Sequence, residues 1–125
     1  MKTKHFFNLF DTNQGIARAL SEGVETRIFP GDNVMLSVVR IAGNQSSKPH
    51  SHPQEQWGVM LQGNGVRLQD GIEHEVSEGD FWQTPSNVVH SFCAGPDGAL
   101  VLDIFSPPRD EYRLAGAGLA ANLEG

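Results

Sequence analysis

The sequence is poor in cysteine, in clustered positive charge and in long apolar runs. Its one cysteine, Cys93, excludes an internal disulfide and fits a reducing compartment. Nine Lys and Arg against fifteen Asp and Glu leave a net charge of -6. The basic residues stand singly, so the stripe of positive charge that phosphate contact requires is missing, and nucleic acid is excluded as an expected partner. No apolar run reaches membrane-spanning length. Asn8 and Asp11 interrupt the stretch MKTKHFFNLF before a signal h-region forms. These absences lead to the expectation of a soluble cytoplasmic protein with no membrane partner. Helical periodicity is also scarce, which turns attention to strands.

What is present is an ordinary core fraction, 38% hydrophobic in 125 residues, enough for one domain. Short β-rich segments recur between turn residues: VMLSVVRI (34–41), QWGVMLQG (56–63), NGVRLQ (64–69), IEHEVS (72–77), FWQT (81–84), VVHSFCA (88–94) and ALVLDIFS (99–106). Asp70-Gly71 is a strong hairpin signal, because both residues accept positive φ cheaply. The fold class expected is all-β, a sandwich or small barrel. Residues 1–23 would hold a short helix or an added edge strand. The tail RLAGAGLAANLEG would be a short helix or frayed, since Gly116 and Gly118 weaken a helix.

The stretch PHSHPQEQ carries the first chemistry. In a strand, alternate side chains share a face, so His50 and His52 would point the same way, with Gln56 in the same parity. His90, near the start of a later strand, could be brought beside them by antiparallel pairing. Three imidazoles and an oxygen donor suit a divalent transition metal such as Ni, Zn, Fe, Mn or Cu. Alone, H-x-H is a weak signal that fits two exposed loop histidines better than a site, and Glu55 competes with Gln56 as the oxygen ligand. His5 and His74 are not expected to be ligands. Cys93, opposite in parity to His90, is expected to be a small buried hydrophobe.

The spacing of His50, His52, Gln56 and Gly63, followed by Gly79, Pro85 and His90, resembles the two motifs of the cupin superfamily. That resemblance spans about residues 30–106 and implies a single cupin domain over 1–125, a jelly-roll barrel with core at about 25–106 and a tail at about 107–125. It implies one metal ion inside the barrel, held by His50, His52, Gln56 and His90. Gln56 stands where Glu is usual, and Asn87 and Asn44 stand where Gly is usual; Asn tolerates a left-handed turn. A neutral amide leaves the full charge on the metal, which favours Lewis-acid chemistry over oxygen activation. Cupins of this size commonly form homodimers by strand exchange, for which residues 24–30 would be suited.

The strand ALVLDIFS is apolar except for Asp103, which shares a face with Val101 and Phe105. A carboxylate there is costly unless paired or hydrogen-bonded. Pro107-Pro108 then makes a stiff exit to Arg109, which could pair with Asp103 or grip a substrate carboxylate in bidentate fashion. HSHPQEQ together with LDIFSPPRDEY resembles the KdgF-type cupins of pectin and alginate breakdown, whose D-x-F-x3-R residues fall on Asp103, Phe105 and Arg109. The resemblance implies a carboxylated-sugar substrate, namely a 4,5-unsaturated monouronate opened to linear 5-keto-4-deoxyuronate. Asp103 would be the acid–base group, Phe105 a wall and Arg109 the carboxylate anchor. Gln54, Trp57 and Trp82 are further pocket candidates, with Trp57 more often outside by parity. A metal-dependent oxygenase or isomerase of another small molecule, and a non-catalytic sugar-binding cupin, are the alternatives.

Overall fold

The computed structural model describes residues 5–113 and 116–117. Its strands are β1 (Ile16–Ser21), β2 (Val24–Pro30), β3 (Met35–Ile41), β4 (Glu55–Gln69), β5 (Ile72–Ser77), β6 (Phe81–Thr84), β7 (His90–Ser106) and β8 (Gly116–Ala117), with one 3-10 turn at Asp110–Arg113. They pair in the order β5-β4-β7-β3-β2-β1-β8, and β6 adds to β4. All pairs are antiparallel except β1 with β8. Among the described residues no helix is long and apolar enough to cross a membrane.

The hairpin at Asp70-Gly71 forms as its residue types require, with φ of 52° and 79°. Asn44 and Asn87 adopt φ of 62° and 68°, so asparagine does take the left-handed conformation at both positions. The four segments 56–63, 64–69, 88–94 and 99–106 form only two long strands, β4 and β7. These pair twice. Glu55 to Gly63 runs against Ser106 to Ala99, and Gly65 to Gln69 runs against Ala94 to His90. Register shifts at Met60/Gln62 and Gly63/Gly65 mark the bend between the two ladders. Such bulges let a continuous ladder fold over into two facing layers.

The inward positions are graded along the strands. Met35, Ser37 and Val39 of β3 lie opposite Phe105, Asp103 and Val101 of β7. Ile28, Met35, Phe105 and Tyr112 form one apolar cluster, and Val24, Val39, Ile41, Met60, Phe92, Ala94, Ala99 and Val101 form another. Buried polar residues occupy the level between, where the Ser37 hydroxyl bonds that of Thr26. Alternation within each unbroken stretch of strand accounts for which of these residues face inward; the polar level is what makes a site possible inside an otherwise apolar barrel.

Residues 16–21 form an added strand in the N-terminal region, but it lies between β2 and the two-residue β8 rather than at the sheet edge. Residues 24–30 form β2, which pairs with β1 on one side and β3 on the other. Cys93 corrects an expectation: it is exposed, because the face opposite His90 at that point is bare. Most of the tail lies outside the described residues, but at Gly116–Ala117 the backbone is a strand beside β1.

Candidate active site

His50 and His90 are brought together by the backbone itself, through an isolated antiparallel bridge with reciprocal N–H to C=O bonds of 3.0 and 2.9 Å. His52 is held by the turn before β7, where the Asn87 N–H donates to the His52 carbonyl at 2.8 Å and the Ser86 hydroxyl donates to the Pro53 carbonyl. The three ring centroids then lie 4.5 to 5.8 Å apart. One nitrogen from each ring falls within 4.8 Å of the others. His5 and His74 are exposed and do not belong to this group.

Each ring is anchored through Nδ1 to a backbone carbonyl: His50 to Lys48 at 2.8 Å, His52 to Gln54 at 3.1 Å and His90 to Val88 at 2.9 Å. A carbonyl can only accept, so Nδ1 carries the proton and Nε2 is left with its lone pair. This is the arrangement that presents imidazole to a metal. His90 Nε2 is buried without a hydrogen-bond partner. His52 Nε2 lies 2.9 Å from Gln56 Oε1. Bonds of about 2.1 Å at right angles place two neighbouring donors about 3 Å apart, so the pair is spaced as two donors to one ion. Glu55 turns away, its carboxylate accepting from Trp57 Nε1 at 2.9 Å and Gln83 Nε2 at 2.7 Å. The donor set therefore fits a divalent metal, with His50, His52, His90 and Gln56 as the residues that would hold it.

Burial keeps the rings neutral. His52 is pushed down to about 4, chiefly by loss of solvent and secondarily by the Arg109 charge. His90 is pushed lower still by the same loss of solvent and by Arg67. His50 is also lowered, mainly by burial. Neutral imidazole is the ligating form.

Asp103, Phe105 and Arg109 line the same cavity as His50 and His90. Asp103 is only part-buried as a residue, yet its Oδ1 is sealed from solvent and has no hydrogen-bond partner. Burial raises its pKa, opposed by the Arg67 charge and by a hydrogen bond from Gln56. Asp103 and Arg109 do not form an ion pair. Instead Arg109, 1% exposed, lies 3.9 Å from the centroid of the Tyr112 ring and 5.2 Å from that of Phe105. Its Nε and Nη2 have no hydrogen-bond partner. Phe105 packs edge-on against His52 at 5.5 Å. Trp82 lines the cavity, whereas Trp57 points outward and is 41% exposed.

Two cavity residues escape a reading by alternation. Counted from Gln56, Arg67 falls on the outer face, but the extra residue at the Met60/Gln62 register shift in β4 reverses the parity and turns it inward. Tyr112 follows the Pro107-Pro108 exit, and the 3-10 turn folds it back over the barrel end. The enclosed cavity measures about 60 Å³ within a space of about 590 Å³ that includes its open mouth. The enclosed part holds only a few waters, so a ligand would place its reacting end there and its remainder in the mouth.

A protein-family model described as Cupin domain matches residues 37–105. The chain is a cupin. Among solved structures, an RmlC-like cupin from Shewanella frigidimarina superposes with a TM-score of 0.77 at 21% identity, covering 88% of this chain and 96% of that one. KdgF from Halomonas sp. superposes with a TM-score of 0.74 at 25% identity over 86% of this chain and 99% of that one. Oxalate decarboxylase from Bacillus subtilis has a TM-score of 0.71 at 24% identity over 78% of this cupin but only 29% of that chain, a likeness of fold alone. In sequence, the cupin is 31% identical over 81 residues to dimethylsulfoniopropionate lyase DddW of Ruegeria pomeroyi, which is 65% of this chain and 51% of that protein. The chain thus spans about half the length of that curated relative.

Proposed function

We propose that this cupin is a metal-dependent enzyme that opens 4,5-unsaturated monouronates to linear 5-keto-4-deoxyuronates. One observation carries the reading. A sealed, unpartnered carboxylate oxygen of Asp103 and unpartnered nitrogens of Arg109 belong to the same cavity as His50 and His90, two of the three grouped imidazoles. The D-x-F-x3-R spacing shared with KdgF-type cupins and the structural likeness to a KdgF protein support it.

The chemistry is an isomerisation. A proton leaves the anomeric hydroxyl, the C1–ring oxygen bond breaks to leave an aldehyde and an enolate, and a proton is added at C4. Asp103 takes the first proton and returns it at C4. Burial suits it to both steps by raising its pKa toward neutrality. Arg109 holds the carboxylate, backed by Tyr112, and Phe105 forms the wall that keeps the ring against Asp103. A metal held by His50, His52, Gln56 and His90 would supply Lewis acidity toward a substrate oxygen.

The likeness to DddW favours a second reading, elimination from a sulfonium propionate. The carboxylate end would suit Arg109 equally. The cationic sulfonium would then share the cavity with Arg67 and Arg109, and that repulsion places this reading second.

The test offers the metal-loaded protein two substrates in separate reactions. With an unsaturated monouronate, the conjugated double-bond absorbance should fall faster than in buffer. With dimethylsulfoniopropionate, no dimethyl sulfide should be released. The opposite pair of results rejects the first reading in favour of the second.

A further inference from the structure

Arg67 is a charged cavity residue that the reaction above does not use. It is 5% exposed and lines the same cavity as His50, His90, Asp103 and Arg109. A neutral frame orients its guanidinium. Nη2 donates to Thr84 Oγ1 at 2.7 Å, Nε donates to Gln69 Oε1 at 3.4 Å, and the Thr84 hydroxyl donates to the same Gln69 oxygen at 2.6 Å. Arg67 lies over the Trp82 ring, 5.6 Å from its centroid. Trp82 is itself wedged in place, stacked on Phe92 at 6.3 Å and filling the space left by Gly58. Its Nε1 is buried without a hydrogen-bond partner.

Among the described residues, no carboxylate is ion-paired to Arg67, whereas Arg109 feels the charges of Glu111 and Asp103. Thr84 and Gln69 satisfy hydrogen bonds of Arg67 but cancel none of its charge. The single acid lining the cavity, Asp103, acts on both guanidiniums. Arg67 has only that shared carboxylate, and burying its charge is costly unless a ligand brings negative charge.

We propose that Arg67, with the Nε1–H of Trp82, forms a second anion subsite, so that the cavity selects a small dianion, or a carboxylate with a second oxygen that carries or develops negative charge, spanning Arg67 and Arg109. This rests on the reading above for Arg109 as the first carboxylate anchor. The substrate class it names is narrower than carboxylates in general: monoanions without a second charged or charge-developing oxygen are poor ligands.

The experiment uses metal-loaded protein carrying Trp57→Phe, which leaves Trp82 as the one tryptophan. Acetate and dicarboxylates from malonate to glutarate are titrated, with Trp82 emission and melting temperature as readouts. At least one dicarboxylate should bind about tenfold or more tighter than acetate. Arg67→Gln should bring that ratio close to one while leaving acetate affinity within about twofold. Arg67→Lys, which keeps the charge, should recover part of the preference. The subsite is overturned if the parent shows no dicarboxylate preference, or if the ratio survives in Arg67→Gln. Should Arg67→Gln fail to fold, the same comparison is made by melting shift in Trp82→Phe, where an unreduced preference counts against the proposal. Uronate turnover is followed in parallel. A parent that prefers dicarboxylates but leaves the uronate unchanged loses the reaction and keeps the subsite, and the reverse result keeps the reaction alone.

Discussion

His52 Nε2 and Gln56 Oε1 face each other at 2.9 Å, although the Nδ1 bond to the Gln54 carbonyl leaves Nε2 as an acceptor. Two acceptors in contact repel unless the amide is turned or a cation lies between them. Gln56 also hydrogen-bonds Asp103. One amide therefore links the candidate metal ligands to the candidate acid–base group, which accounts for glutamine at a position where cupins usually have glutamate.

Gln56→Glu tests that link. The substitution removes the donor to Asp103 and places a second carboxylate beside it, so the Asp103 pKa rises. Asp103 must start as a base, and activity is lost as pH falls through its pKa. The acidic limb of kcat/KM should therefore move up by roughly one pH unit, while affinity for a divalent ion increases. An acidic limb that stays in place removes the coupling.

A divalent metal should stabilise the fold. At 100 times its Kd the gain is about 2.7 kcal/mol, readable as a rise in Tm on adding Zn or Ni to chelator-treated protein. His90→Ala should weaken binding on the order of 100-fold or more and abolish the rise. Elemental analysis showing unchanged stoichiometry and affinity in the variant would contradict the ligand set.

Asp103→Asn keeps the shape and the hydrogen bond to Gln56 but cannot move a proton. Turnover of the unsaturated uronate should fall by roughly 10² to 10⁴. Tm should hold or rise, because a sealed, unpartnered carboxyl oxygen is replaced by a neutral group. Full activity in the variant excludes the acid–base role.

The metal-free protein should lose stability below neutral pH. His52 and His90 have depressed folded-state values, so the unfolded chain takes up their protons first as pH falls. The contribution of the neutral rings is complete above about 6.5 and erodes below it, down to about 4 for His52 and further for His90. Urea midpoints measured from pH 7 to 4.5 should fall, and fall less steeply in a His52→Gln, His90→Gln variant. Parallel curves would mean that other groups set the dependence.

Gly58→Ala would drive a Cβ into the Trp82 indole. The ring stacks on Phe92 and has little room to retreat. Stability should fall by about 1–3 kcal/mol and Trp82 emission should shift; a variant with unchanged stability and emission would show that the ring moves freely.

Much of the fold was legible because strand alternation and turn chemistry are local. Asp70-Gly71 had to turn, Val101, Asp103 and Phe105 had to share a face, and asparagine at 44 and 87 could replace glycine at positive φ. The histidines were legible as candidates because H-x-H in a strand is a same-face pair, and His90 because its spacing from Gly79 and Pro85 resembled a known motif. Asp103 announced itself as the one acid in an apolar strand. Cys93 was misjudged because alternation gives a face but not what covers it.

By itself, then, the sequence determined the strands, the turns and which residue types face inward, since these depend on neighbours within a few positions. Only the tertiary structure decided the contents of the cavity. The bulge at Met60/Gln62 in β4 reversed the parity and brought Arg67 inside. A turn beyond the paired prolines carried Tyr112 back under Arg109. Both outcomes depend on where the chain bends in space, and alternation counted along a straight strand carries no record of a bend.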